Sequence, residues 1–191
     1  MPPELPYSTT LTEGQLLLRT PTEDDVAAIC EAVAESAEHL QRWMAWCTPD
    51  YGRAQAQTFI NSQPQAWREG RAYTFMIFDR QSGKLLGSCG LNRLDWLNRL
   101  ANLGYWVRTA AAGQGIASAA TKLVLGFALG QLELQRIEIV AAVGNTGSQR
   151  VAEKVGAKRE ALARNRCRTA GVQQDAYIYS IIPEDLSGKS E

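Results

Sequence analysis

The amino-acid sequence predicts an α+β fold, a mixed sheet with helices on both faces. Three patterns carry that expectation. Apolar residues recur at helical spacing early in the chain, and they alternate with period two across its middle. Strand and helix patterns then interleave before two closing strands. The expected order is strand, helices, three strands, helix, strand, helix, two strands.

The first strand is Gln15–Arg19. Thr22 with Asp25 three residues on resembles a capping box, with Asp in place of the usual Glu or Gln. Val26, Ile29, Cys30 and Val33 follow at helical spacing, and a second short helix carries Leu40, Trp43 and Met44. A third helix starts near Arg53, where Pro64 should end or kink it, because proline lacks the N–H of the helical ladder. Tyr73, Phe75 and Ile77 alternate along a strand, Gln81–Lys84 turns, and Leu85–Leu91 returns. A polar connection, Asp95–Arg99, leads to a third strand, Leu100–Arg108, closing an antiparallel meander. After Thr109–Gly115 comes a helix over Ile116–Leu129, whose Ala120, Leu123, Val124, Phe127 and Ala128 make one apolar face. A strand over Ile137–Val143, a helix over Ser148–Val155 and strands near Ala157–Arg164 and Gln174–Ile182 complete the chain. Residues 1–13 read as a loose leader, 14–183 as a single domain and 184–191 as a polar tail.

Composition narrows the functions. The 191 residues suit one domain, and 45% hydrophobic with 21% charged content is that of a globular chain. Lys and Arg (20) balance Asp and Glu (20), so general nucleic-acid binding through phosphate neutralisation has no overall charge to drive it. No run approaches the ~18 apolar residues of a membrane helix. The N-terminus lacks the basic start and apolar core of a signal peptide. Cys30, Cys47, Cys89 and Cys167 show no close metal or redox spacing, and His39 is the single histidine, so no metal site is expected. A cytoplasmic protein with four free thiols fits these features.

The most informative segment runs from Gly104-Tyr105-Trp106-Val107-Arg108 into Ala112-Gly113-Gln114-Gly115-Ile116-Ala117. A strand enters a glycine-containing loop that opens directly into a helix. Such a loop converges backbone N–H groups on an anion, and the helix dipole adds to the attraction. No Lys-Ser/Thr follows Gly115, so it is not a P-loop, and the Gly-x-Gly-x-x-Gly of dinucleotide folds is missing. A tight turn that binds nothing is the competing reading. Asn145-Thr146-Gly147-Ser148 repeats the strand-to-helix arrangement, although Asn or Ser there equally serves as an N-cap. Two such junctions flanking a βαβ unit lie at one edge of adjacent parallel strands, where α/β crevices take ligands.

At these residues the chain resembles the GNAT superfamily of acyl-CoA-dependent N-acetyltransferases, and within it the RimJ/RimL group that acetylates N-termini of ribosomal proteins. The similarity spans about residues 14–182. It rests on Leu17-Leu18-Arg19, Leu40 with Trp43 and Trp46, Phe75-Met76-Ile77-Phe78, Leu86-Gly87, Leu103–Val107, Gly113–Ala117, Asn145-x-x-Ser148 and Val155-Gly156-Ala157, in that order and spacing. The resemblance implies a mostly antiparallel sheet with one splayed parallel strand pair that takes acetyl-CoA. It implies that backbone N–H groups of Gly113, Gln114, Gly115, Ile116, Ala117 and Ser118 hold the CoA pyrophosphate. Val107 would bond the pantetheine arm and polarise the thioester carbonyl, Asn145 would bond the pantetheine, and Ser148 would donate to the departing thiolate. Trp43 and Trp46 would line the acceptor pocket, although aromatic residues at this spacing also suit a core. The implied acceptor is a primary amine, most typically a protein N-terminus such as Ser or Ala, and a homodimer is a frequent family arrangement.

Two departures stand out. Ala112 occupies a position where the family usually has Arg or Gln, and Asn102 one where many relatives have Glu; asparagine is no base. They motivate a competing reading as a non-catalytic CoA-binding sensor. A small amine, polyamine or antibiotic, is the competing acceptor. Arg159, Arg164, Arg166 and Arg168 form a basic stretch that reads as a solvated face or as a match for an acidic peptide.

Overall fold

A computed structural model describes residues 2–187 and places eight strands in one sheet, ordered β1-β2-β3-β4-β5-β6-β8-β7. The strands are β1 (Thr10–Glu13), β2 (Leu16–Arg19), β3 (Tyr73–Asp79), β4 (Leu85–Asp95), β5 (Leu100–Val107), β6 (Arg136–Ala142), β7 (Lys158–Thr169) and β8 (Val172–Ile181). Helices α1 (Val26–Glu35), α2 (Ala37–Trp43) and α3 (Arg53–Arg68) lie between β2 and β3. Helix α4 (Ile116–Gly126) connects β5 to β6, α5 (Thr146–Lys154) connects β6 to β7, and α6 (Pro183–Ser187) follows β8. This is the expected α+β fold.

Two clusters of buried side chains sandwich the sheet. Phe75 and Ile77 join Leu103, Val124 and Tyr179 on one side, while Met76 and Phe78 join Val26, Ile29 and Ile60 on the other. The alternation along β3 thus buries both of its faces, so it lacks the polar side of a half-exposed strand.

Three sequence expectations change. Pro64 lies inside α3, which continues to Arg68. The proline forgoes its own N–H bond at a cost of about 3 kcal/mol. The helix persists because Ile60, Ala66 and Trp67 on its inner face are buried, which outweighs that loss. Second, part of the expected leader is fixed. The indole Nε1 of Trp67 donates to Leu5 O at 3.0 Å, Tyr7 packs edge-on against Trp67, and Thr10–Glu13 pairs antiparallel with β2. Third, Glu184 to Ser187 of the expected tail belong to the helix Pro183–Ser187, and residues 188–191 lie outside the described residues.

The sheet changes direction once, between β5 and β6. These strands are parallel for only three pairs, Leu100 with Arg136, Ala101 with Ile137 and Asn102 with Glu138. Beyond them β5 continues along β4, while β6 continues along β8. The two strands therefore part from Leu103 and Ile139 onward, leaving a wedge open toward the β5 C-terminus.

A charged clamp sits where the wedge begins. Arg136 on β6 meets Glu138 at 2.9 Å and Glu160 on β7 at 2.5 Å, and Ser180 on β8 donates to Glu160 at 2.6 Å. These contacts pull the Glu160 carboxyl from 4.5 down to about 2, the Arg136 hydrogen bond being the main cause. The stability this carboxylate lends is fully present above about pH 4.5 and is lost as the pH falls through about 2. Urea midpoints measured across that window should fall with acid, and Arg136→Gln should flatten the slope while Arg80→Gln leaves it unchanged.

Candidate active site

The wedge exposes an edge of β5. Arg108 N–H donates to Leu86 O, so Gly87 and Val107 face each other as a narrow, non-hydrogen-bonded pair. The N–H and C=O of Val107 consequently point away from β4 and into the gap. By the same alternation those of Tyr105 and Leu103 do so too. This edge can bond an extended chain as an added strand.

Beyond β5 the chain makes a short 3-10 turn, Thr109–Ala111, and then the glycine loop. Gly113 and Gly115 both hold left-handed backbone, φ 76° and 81°, which suits glycine. No side chain caps the first turn of α4. The N–H groups of that turn have no partner within the helix, as at every helix start. The Lys154 ammonium adds positive charge, since it lies 3.7 Å from where a Cβ on Gly115 would stand.

The base of the loop is fastened to the end of α1. Arg108, only 1% exposed, reaches Glu31 at 2.7 Å and Glu35 at 3.2 Å. Ser36 Oγ accepts from Thr109 N–H, and Glu35 accepts from Ala110 N–H. Nothing in the sequence pairs Arg108 with these carboxylates, which lie more than seventy residues away. Glu31 is held below the usual carboxylate range by the Arg108 hydrogen bond.

On the opposite side, a cleft of about 1130 Å³ opens between α2–α3, the sheet and the β7–β8 hairpin. It brings together Trp43, Trp46, Asn145 and Ser148. Trp46 is half-exposed and packs tilted against Trp106 (6.0 Å) and edge-on against Tyr51 (5.4 Å), so it is no ordinary core residue. Trp43 lies over Gly144, where a Cβ would stand 3.3 Å from its ring, and Arg42 covers it from outside. Val107 and Gly113–Ser118 do not line this cleft; they continue the wedge beyond it, with Ser118 itself buried. Asn102 lines the cleft at the fork, its amide donating to Asn92 Oδ1 at 3.0 Å.

Asn145 is the N-cap of α5, with its Oδ1 accepting from Ser148 N–H at 3.1 Å. Only its amide nitrogen stays free of that bond. Tyr105, part of the quoted motif but given no role by sequence reasoning, meets Ser148. Its hydroxyl lies 3.0 Å from both Ser148 O and Ser148 Oγ. Burial pushes the Tyr105 phenol well above its ordinary value, so it stays protonated. The available signal was a tyrosine on the strand entering the loop, but only the fold brings it to α5.

The comparisons with known proteins agree with this geometry. Residues 15–158 match the acetyltransferase (GNAT) domain. YdaF of Bacillus subtilis (strain 168), provisionally named a ribosomal N-acetyltransferase, is 29% identical over 86% of this chain and 90% of its own. The ribosomal-protein-serine acetyltransferase of Escherichia coli (strain K12) is 28% identical over 74% and 78%. Mycobacterium smegmatis RimJ, solved with CoA-disulfide, superposes with a TM-score of 0.86 at 24% identity, covering 94% of this chain and 90% of its own. The parted β5–β6 pair, the glycine loop and these matches together lead to one assignment: the chain belongs to the GNAT acetyltransferase family, enzymes that transfer the acetyl group of acetyl-CoA.

Proposed function

We propose that the protein acetylates the α-amine of a protein N-terminus, with Ser or Ala at the first position, in the cytoplasm. One observation carries the choice of acceptor. Among the residues lining the cleft there is no aspartate, glutamate or histidine. Cys167 is there, but burial pushes its thiol up, and Tyr105 stays protonated. A site without a base needs an amine that is already substantially neutral. An α-amine titrates at about 7.7–8.0 and a lysine or polyamine nitrogen at about 10.4. At neutral pH the α-amine therefore has a neutral fraction about a few hundred-fold larger. The half-open aromatic cleft suits the end of a polypeptide, and the ribosomal-protein names of relatives point the same way. A small-amine acceptor and a non-catalytic sensor are not favoured.

In this reading acetyl-CoA supplies the activated acyl group. The Val107 N–H, aimed into the gap, donates to the acyl carbonyl, and the N–H groups of Gly113–Ser118 hold the pyrophosphate beside Lys154. The Asn145 amide bonds the pantetheine arm. Ser148 Oγ donates to the thiolate as it leaves, and the Tyr105 hydroxyl holds Ser148 in place. A water in the cleft takes the proton from the amine. Trp43 and Trp46 seat the first residues of the acceptor.

Peptides beginning with Ser or Ala, incubated with protein and acetyl-CoA, should release thiol and gain one acetyl group on the α-amine by mass spectrometry. The rate kcat/KM should climb with pH through about 8, following the free α-amine. Acetylation confined to lysine side chains or polyamines, or saturable acetyl-CoA binding without turnover on any amine, overturns the proposal.

A further inference from the structure

We infer that the acceptor is anionic close behind its amine: a polypeptide whose residues just after the N-terminus carry carboxylates. This deepens the proposed reading and rests on it. The cleft is lined by three arginines, Arg93, Arg166 and Arg168, and by no carboxylate. The chain as a whole is neutral, so the bias is local. None of the three forms an ion pair among the described residues. The nearby acids are committed elsewhere. Asp175 accepts from Asn165 N–H at 2.8 Å, and Glu138 is held by Arg136.

The backbone explains how the arginines come to face the cleft. Arg93 sits at the irregularity of β4 between Asn92 and Asp95, with φ 51°, so the strand's regular alternation breaks there and its side chain is exposed. Arg166 lies within the irregularity between Ala163 and Cys167 on β7 and Arg168 just after it, across the cleft from α2–α3. The Arg168 Nε donates to Gly171 O at 3.1 Å, which fixes the side chain and leaves its terminal nitrogens for a ligand. Arg166 is half-buried, so part of its charge lies in a region of lowered dielectric, where an unpaired guanidinium favours an anionic partner.

A polycationic acceptor has the same field against it.

The test uses three peptides that share an N-terminal serine and differ at the next three residues: Glu-Glu-Asp, Gln-Gln-Asn or Lys-Lys-Lys. The acidic peptide should exceed the neutral one by about tenfold in kcat/KM at low salt, with the gap shrinking as ionic strength rises. The lysine peptide should be slowest. The Arg166→Glu/Arg168→Glu variant should reverse the order while acetyl-CoA affinity by calorimetry stays within about twofold of wild type. Equal rates on all three peptides, or an acidic preference that survives in the double variant, overturn the inference while leaving N-terminal acetylation intact. Turnover of polyamines with none of any peptide overturns both.

Discussion

Replacing Ser148 with alanine is expected to lower kcat about a hundredfold with little change in acetyl-CoA affinity. Loss of a proton donor to a leaving group typically costs 10²–10⁴ in rate, and the lower end applies where water can reach the thiolate through an open cleft. The substitution separates chemistry from folding because the local bonds survive it. Asn145 Oδ1 accepts from the backbone N–H of Ser148, which alanine retains. The Tyr105 hydroxyl loses Oγ but keeps Ser148 O at 3.0 Å, so no buried phenol is orphaned. Tyr105→Phe removes only the support of Ser148 and should cost less, about tenfold. Because burial holds the Tyr105 phenol above its usual range, neither wild type nor Ser148→Ala should show a falling limb from it near pH 10. A Ser148→Ala enzyme within threefold of wild-type kcat removes the assigned role. A parallel loss of acetyl-CoA binding would instead make Ser148 a binding residue.

The α+β class was legible because it depends on local period, and so was the loop, since Gly113 and Gly115 stand between a strand pattern and a helix pattern. Other parts are relations between distant residues, which local pattern does not carry. The parting of β5 from β6 leaves no mark in the pattern of either strand and was expected only through the family resemblance. Arg108 carries the signature of an exposed charge, yet it is buried against Glu31 and Glu35. Removing both carboxylates, as Glu31→Gln/Glu35→Gln, would strand that guanidinium. That uncompensated buried charge should lower the melting temperature, by less than for a fully enclosed pair because Glu31 reaches solvent. Pro64 misled for the opposite reason: a strong local rule was outweighed by Trp67 and Ile60 in the core. Arg166 and Arg168 were legible as part of a basic stretch, but Arg93 was not, and only the fold brings the three to one cleft.

Gly87→Ala is expected to be the most damaging single methyl that the chain can receive near the site. An added Cβ would stand 2.1 Å from Trp106 O and 2.8 Å from Val107 Cα, both backbone atoms of the neighbouring strand. Neither can swing aside as a side-chain tip could, so β4 and β5 must separate. Forced overpacking of this kind costs about 3 kcal/mol, which for a domain of this size lowers Tm by about 6–12 °C. The displacement is aimed at the reaction. Gly87 is the cross-strand partner of Val107, and their narrow pairing is what turns the Val107 N–H into the gap. Acetyl-CoA affinity should therefore fall in the fraction that remains folded, by more than the stability loss explains. Gly83→Ala is the control: it also has positive φ, 69°, but its Cβ meets nothing within 4 Å. It should cost only the left-handed strain, about 1 kcal/mol, and leave affinity unchanged. A Gly87→Ala protein that melts with the wild type would mean that β4 and β5 are not held as closely as this geometry requires. A destabilised one that binds acetyl-CoA normally would separate the strand pairing from the Val107 donor and leave the loop N–H groups and the Asn145 amide to hold acetyl-CoA without it.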